Sequence, residues 1–376
     1  MYTDTGFINE IKKADLSVCE NADNFLQSAM WADFKSRFGW KAICFLVDWR
    51  FNGENETTPL LLLSRSLVRG FTFAYVPWGP RLPRNFPAQS KETALSELAV
   101  KLKPFLARNT AFIRFDPPWH KTGCKDKTAL FVKSGFKKAA ATVQPPDTVI
   151  VSLSPSGGEM LSSMKPKWRY NISLAEKKGV QVKEGAVSDI GIFYALLKET
   201  ADRDGIAVHK MEYYEKLFEI CNEHGEKPQC EAADRVCRIR LYIASHEGDD
   251  LAAVVVLFFG DTATYLYGAS SNRKRNLMSP YALQWRAMMD AKEVGCLRYD
   301  LFGIPPDEDP NHPMAGLYRF KTGFGGQIVR RPASMDYAYR KAVYSLFNFA
   351  EYLRKKLRDR KKGHSARNSA QSRSID

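Results

Sequence analysis

Lys321 stands in the run Gly316-Leu-Tyr-Arg-Phe-Lys-Thr-Gly-Phe-Gly-Gly326, a spacing that sets one ammonium between aromatic side chains and a glycine-rich turn. Phe320 and Phe324 can wall the cation with apolar area, while Gly323, Gly325 and Gly326 permit positive φ and the close approach of a ligand. A lysine so placed can meet negative charge on a bound group. The same pattern also fits a β-hairpin edge whose lysine reaches out to water, so the loop alone leaves both readings open. Asp116 is a second candidate: it ends an apolar, strand-like run at 111–115 and is followed by two prolines, which turn it away from helix and stop the pairing.

A third concentration of chemistry runs from Lys165 to Gly179, where Lys165, Lys167, Arg169, Lys177 and Lys178 interleave with Trp168 and Tyr170 on a short helical pattern. Cations neutralise phosphates and flat aromatic faces stack on unpaired bases, so the segment suits the end of an RNA; it equally suits an ordinary solvated helix face. Other familiar chemistries are missing. The sequence has no G-x-x-x-x-G-K-[ST] phosphate loop, G-x-S-x-G elbow, H-E-x-x-H pair or strand-linked G-x-G-x-x-G. The six histidines are dispersed, and the seven cysteines show no C-x-x-C spacing and read as reduced thiols, so neither a metal nor a bound cofactor is expected.

These residues need elements to hold them. Helical periodicity from 23 to 38 puts Phe25, Met30, Trp31, Phe34 and Phe38 near one face, with Lys35 near the end. Strands are expected at 42–47, 60–64 and 72–76, the last leading into the turn Trp78-Gly79-Pro80, and a helix at 91–106 precedes the strand that ends on Asp116. Beyond Pro145-Pro146 the mixture repeats, with helices at 188–201, 211–223 and from Ser279-Pro280 onward, and strands at 237–244, 252–259, 264–268 and 298–301. Two successive α+β units imply a duplicated architecture, although no sequence repeat is visible.

A chain of 376 residues is long enough for about two domains. Its 56 Lys and Arg exceed its 42 Asp and Glu by 14, an excess that attracts polyanions such as nucleic acid, nucleotide phosphates or an acidic membrane face, and that also simply favours solubility. No apolar leader core and no run approaching ~20 apolar residues is visible. The expected location is the cytoplasm, with contact at the inner face of the membrane left open.

Taken in order, Trp31-Ala-Asp-Phe-Lys35, Tyr75-Val-Pro-Trp-Gly-Pro80, Ile113-Arg-Phe-Asp-Pro117, the Lys167–Gly179 segment, Arg203-Asp-Gly-Ile206, Tyr265-Leu-Tyr-Gly-Ala-Ser270, Tyr299-Asp-Leu-Phe-Gly303 and Leu317-Tyr-Arg-Phe-Lys321 resemble the Fem (FemABX) family. Members of that family are non-ribosomal peptidyltransferases that use aminoacyl-tRNA to build peptidoglycan cross-bridges. The resemblance covers nearly the whole chain. It implies an α+β fold of two tandem domains similar to the acetyltransferase (GNAT) fold, with the C-terminal helix returning to the first. The expected division is 1–150 plus about 330–355 for the precursor-binding domain, 151–329 for the aminoacyl-tRNA side, and a basic, disordered tail at 356–376. Residues 188–240 hold no sustained heptads, so the chain resembles the members without a coiled-coil arm.

By the same similarity, Lys35 would meet the diphosphate of a UDP-linked or lipid-linked muramyl peptide. Tyr213 and Tyr267 would line that groove with Tyr265 beside them, Asp116 would face the acceptor amine, and Phe320 and Lys321 would sit at the reacting carbonyl. Lys165, Lys167, Trp168, Arg169, Lys177 and Lys178 would contact tRNA. One departure stands out: where some relatives carry an arginine four residues before the groove tyrosine, this chain has His209 followed by Lys210, which puts a pH-dependent or displaced phosphate contact there.

The implied chemistry is aminolysis of an already activated aminoacyl ester, which calls for no ATP site. It requires a neutral amine, a cation for the oxyanion and a route for the proton. Lys321 would supply the cation and Asp116 would orient or deprotonate the amine, unless the two merely form an ion pair. The expected protein is a monomeric aminoacyltransferase moving Gly, Ala or Ser to the stem peptide of a cell-wall precursor. An acyl-CoA N-acyltransferase would share the fold, but the stretch from Gly268 to Pro280 lacks the Arg/Gln-x-x-Gly-x-Gly/Ala loop that holds a pyrophosphate. A non-catalytic RNA- or membrane-binding protein would explain the charge and leave Lys321 and Asp116 without a task.

Overall fold

The computed structural model describes residues 6–20, 22–67, 70–119, 135–225, 237–306, 308–354 and 356. The basic tail beyond residue 356 lies outside these residues.

Leu60 to Leu63 are four consecutive buried leucines, a run that only a strand covered on both faces can accommodate. In the first half, β1 (Ile8–Ala14), β2 (Lys41–Phe51), β3 (Glu54–Ser66) and β4 (Thr72–Val76) form an antiparallel series, and β5 (Thr110–Phe115) lies parallel to β4. Two helices cover the faces. Leu61 and Leu63 point to the side of α1 (Ala29–Ser36), Leu60 and Leu62 to the side of α2 (Lys91–Leu102). Ser28 caps α1, accepting from Trp31 N at 3.2 Å. A short strand, β6 (Phe136–Lys138), ends this half.

The second half opens with β7 (Thr148–Ser152), α3 (Gly157–Ser163) and α4 (Pro166–Lys177), followed by β8 (Gln181–Gly185) and the helices α5 (Ile190–Asp204) and α6 (Met211–Gly225). Strands β9 (Cys237–His246), β10 (Asp249–Phe259) and β11 (Thr262–Ser270) continue antiparallel from β8. After α7 (Ser279–Glu293), β12 (Arg298–Asp300) lies parallel to β11. The segment carrying Lys321 forms a helix, α8 (Ala315–Thr322), so it is neither a hairpin edge nor a loop. Beyond it come β13 (Gln327–Val329) and β14 (Met335–Ala338), then a last helix, α9, over 341–354.

Duplication, invisible in the sequence, is explicit in the strand orders β1-β2-β3-β4-β5-β14-β6 and β8-β9-β10-β11-β12-β7-β13. Each sheet is an antiparallel series closed by one parallel strand, a shared pattern that makes the chain two tandem acetyltransferase-like domains. Beside each parallel strand sits a strand distant in sequence: β14, which follows the second half, next to β5, and β7, which opens the second half, next to β12. Arg114 on β5 pairs with both oxygens of Asp336 on β14, at 2.7 and 2.8 Å, with both side chains buried. Helix α9 returns to the first domain, where Tyr344 and Phe347 pack on Phe112. Among the described residues, 188–240 holds the two 15-residue helices α5 and α6 and no coiled-coil arm.

The two domains share a core. Ala253, Val255 and Leu257 of β10 face α5 and α6, and α6 in turn meets α1 of the first domain, joining Phe34 to Tyr213 at 4.8 Å between ring centroids. An apolar contact layer of this kind holds domains in a fixed relation. One cysteine expectation fails: the structure joins Cys19 and Cys44 in a disulfide. Both are buried in the layer around α1, a proximity that their separation of 25 residues does not announce. Cys221, Cys237 and Cys296 are free and buried.

Candidate active site

Strands β11 and β12 pair only from Thr262–Thr264 against Arg298–Asp300 and then part. Beyond Asp300 the chain stays with β7, Leu301 N donating to Val149 O and Ile304 N to Asp147 O, while β11 runs on along β10. Openings at the carboxyl ends of parallel strands are where such sheets receive ligands. Helix α8 brings Lys321 here. Its Nζ donates to Phe302 O at 3.1 Å and Gly303 O at 2.9 Å, and stands 5.0 Å from the centroid of the Tyr265 ring. Lys321 is 6% exposed; burial drives its pKa down and the charge of Asp300 opposes this, leaving it at about 7. Near neutral pH the nitrogen is therefore divided between ammonium and amine, able to hold an oxyanion in one form and to take a proton in the other.

The two carbonyls are held deliberately. Phe302 has φ 55°, a conformation that costs a non-glycine residue about 1–3 kcal/mol and persists only when its surroundings impose it. Oδ1 of Asp300 accepts from Phe302 N at 2.8 Å and from the Thr148 hydroxyl. On its other side the Phe302 ring packs on Trp78 and Phe25 of the first domain, at 5.6 and 6.4 Å. Trp78 in turn carries the Arg331 guanidinium 4.2 Å above its ring. Both domains thus fix the acceptors that grip Lys321.

From the other direction, Trp168 Nε1 donates to Phe320 O at 2.9 Å, and a Cβ on Gly323 would stand 2.1 Å from the Trp168 ring. Gly325, at φ 80°, would bring a Cβ within 2.4 Å of Ser163 Oγ. These glycines let α8 close against α3 and α4. Phe320 and Phe324 sit edge-on to each other at 5.2 Å, both against Tyr281, and the ring that faces the ammonium is that of Tyr265.

A second cluster lies on the opposite face of β11. The register of β10 against β11 shifts between Val255 and Val256, leaving Leu266 as an extra residue, a β-bulge that resets the alternation of side chains. Tyr265 therefore faces the Lys321 side while Tyr267 faces α6, and the two do not line one groove as the sequence suggested. Tyr267 hydrogen-bonds Tyr213 and meets the Tyr214 ring edge-on at 5.1 Å. Lys35 Nζ stands 5.4–5.8 Å from the rings of Trp31, Phe34, Trp40 and Tyr213, with no ion-pair partner among the described residues. Burial, with Arg65 nearby, lowers its pKa to about 8. His209 stacks on Tyr213 at 3.8 Å, and burial followed by the charge of Lys35 lowers its pKa, so it is neutral at pH 7. Lys210 is exposed, and its carbonyl accepts from Tyr213 N at 3.0 Å.

The sequence pattern of the FemAB family matches residues 17–228 and 222–352. The chain belongs to this family. The lipid II:glycine glycyltransferase of Staphylococcus aureus (strain COL) is 25% identical over 386 aligned residues, covering 86% of this chain and 90% of that protein. Its Staphylococcus epidermidis counterpart is 24% identical with the same coverage. A solved crystal structure of FemX superposes with a TM-score of 0.73 over 90% of this chain and 100% of its own, at 21% identity, a likeness of fold.

The remaining candidates of this FemAB chain divide by burial. Asp116 is 6% exposed, both of its oxygens accept, one from Tyr75 and one from Ser334, and burial raises its pKa. Among the described residues no contact joins it to Lys321. The carboxylate that acts on the lysine is Asp300, which the sequence shows only as the second residue of Tyr299-Asp-Leu-Phe-Gly303; its place at the end of a short buried strand was the one available signal. Trp168 is buried against α8, and half-buried Arg169 donates from Nη1 to the carbonyls of Ser162 and Met164 at the end of α3. Lys165, Lys167, Lys177 and Lys178 are exposed, and Tyr170, 64% exposed, is the aromatic that faces solvent.

Proposed function

We propose that this protein is an aminoacyltransferase of peptidoglycan assembly, moving glycine, alanine or serine from aminoacyl-tRNA to a side-chain amine on the stem peptide of a muramyl precursor. The relatives named lipid II:glycine glycyltransferase support this class of reaction and make glycine and a lipid-linked acceptor the first pair to test. In the reaction the amine nitrogen attacks the ester carbonyl, a C–N bond forms, the C–O bond to the tRNA ribose breaks, and the proton lost by the amine ends on the ribose hydroxyl.

The observation that carries the reading is Lys321, buried, held by two carbonyls and poised at about 7 beside Asp300. A dry site makes its charge worth more to a developing oxyanion than the same charge in water. Lys35, in its aromatic box without a carboxylate and with Arg65 near, suits a diphosphate on the acceptor. The exposed lysines around α4 and Tyr170 would receive the tRNA on the Lys321 side, so donor and acceptor would approach β11 from opposite faces.

The test uses the full chain with labelled Gly-, Ala- and Ser-tRNA, each offered with lipid II and with the UDP-linked pentapeptide, and acetyl-CoA as the competing donor. Label should move to a precursor from at least one aminoacyl-tRNA and not from acetyl-CoA. Transfer from acetyl-CoA, or from none of the three tRNAs, would overturn the reading.

A further inference from the structure

Helix α9 buries one face and bares another. Tyr344 and Phe347 are packed on the first domain, while Leu346, Phe349, Tyr352 and Leu353 are 57, 59, 57 and 42% exposed. At 100° per residue Leu346, Phe349 and Leu353 fall within one narrow stripe and Tyr352 borders it, so the large apolar side chains are gathered. Scattered exposed leucines need no explanation, but a stripe along one helix does.

Its surroundings are cationic. Arg340 and Lys341 open the helix, exposed Lys137 lies with its Nζ 5.6 Å from the Tyr344 ring, and exposed Lys138 and Arg108 stand on the neighbouring segments. The sequence continues Arg354-Lys-Lys-Leu-Arg-Asp-Arg-Lys-Lys362, seven cations against one carboxylate. Three occupants compete for such a face. A second copy of the chain would bring like charge against like charge. An RNA would use the cations but gain nothing from Leu346 and Leu353. An anionic lipid surface uses both, since apolar side chains enter the acyl boundary while lysines and arginines stay among the headgroups.

We propose that α9 is a membrane-surface anchor, laying Leu346, Phe349, Tyr352 and Leu353 into an anionic bilayer leaflet with Arg340, Lys341, Lys137, Lys138 and Arg108 among the headgroups. Among the described residues no helix is long and apolar enough to cross a membrane, so the contact is in the interface plane. This goes beyond the proposed transfer reaction and does not depend on it.

The experiment is co-sedimentation of the full chain with vesicles of mixed phosphatidylglycerol and phosphatidylcholine and with phosphatidylcholine alone, without any reaction substrate. The native chain should pellet with the anionic vesicles only. Leu346→Ser with Phe349→Ser should lower the partition coefficient roughly thirtyfold with an unchanged thermal midpoint, since both side chains are exposed in the fold. A Tyr352→Trp reporter should shift its emission to the blue on the anionic vesicles. Absence of vesicle binding, equal binding by the double variant, an unshifted reporter, or a solution dimer that the double variant dissolves would each overturn the anchor.

Discussion

Replacing Asp300 by Asn should move the pH dependence of transfer without removing the catalytic machinery. One oxygen of Asp300, Oδ1, accepts from both Thr148 and Phe302 N, and an asparagine carbonyl can keep both bonds, so the substitution removes chiefly a charge. That charge raises the pKa of Lys321 against burial, which now leaves it at about 7. An opposite charge within a few ångströms is worth about 1–3 units, and a loss of ~1.5 would take the protonated fraction at pH 7 from about one half to about 3%. If the ammonium form serves the oxyanion, kcat/KM at pH 7 should fall about fifteenfold, and the falling limb of the profile should move to lower pH, with activity recovering below about pH 5.5. If the neutral amine takes the proton, the rising limb moves instead and the variant gains at low pH. The assay is transfer of labelled amino acid to the precursor from pH 5 to 9, read as the ratio of native to variant at each pH, in which the acceptor amine's own titration cancels. Lys321→Met, which keeps volume and loses charge, should lie about a hundredfold below native where the native lysine holds its active form, with the gap narrowing where that form titrates away. A variant profile superimposable on the native one, with Lys321→Met inactive, would refute the claim that Asp300 sets the lysine.

Lys35→Met should raise the KM for the acceptor about tenfold or more with kcat little changed, because a charge-assisted contact to a phosphate is worth about 1.5–3 kcal/mol; an unaltered KM in steady-state kinetics would defeat it. Gly323→Ala forces a methyl into the Trp168 ring and should cost about 1–3 kcal/mol in denaturant unfolding together with activity, whereas an unperturbed midpoint would show that α8 can give way. Tyr170→Ala should leave stability within about 0.5 kcal/mol and weaken tRNA affinity in a filter-binding assay, and equal affinity would remove Tyr170 from the donor surface. Asp336→Ala strands the buried Arg114 and should destabilise by about 3–5 kcal/mol in thermal or denaturant unfolding; a loss below about 1 would contradict the burial of that pair.

Elements with an apolar period were legible in the sequence. The strand at 72–76 and the helix opening at Ser279-Pro280 stand where propensity and the proline of the first turn put them, although Met278, not Ser279, holds the cap position and no side chain caps the helix. Strands such as β7 and β13 were not, because their places come from pairing with distant segments. The same limit governs the site. Lys35, His209, Tyr213 and Tyr267 do converge, but Tyr265 left that group through a single extra residue in β11, a register event that no alternation of side chains in one strand reveals. Gly323 and Gly325, read as room for a ligand, proved to be room for Trp168 and Ser163. Asp300 escaped notice because its partners, Thr148 and Lys321, lie far from it along the chain.

The return of β14 to the first sheet has a consequence for synthesis. The first sheet cannot close when its own residues have emerged, since the neighbour of β5 lies near the end of the chain and β6 attaches only through it. Arg114 must wait for a partner 222 residues downstream. At a synthesis rate of about 5–20 residues per second that wait lasts roughly 10–40 s, during which the edge of β5 is open to wrong partners. The first half is not a unit that a ribosome can finish before the second. The nascent first domain is thus a client for whatever shields unpaired strands, and a truncated message would yield no working fragment.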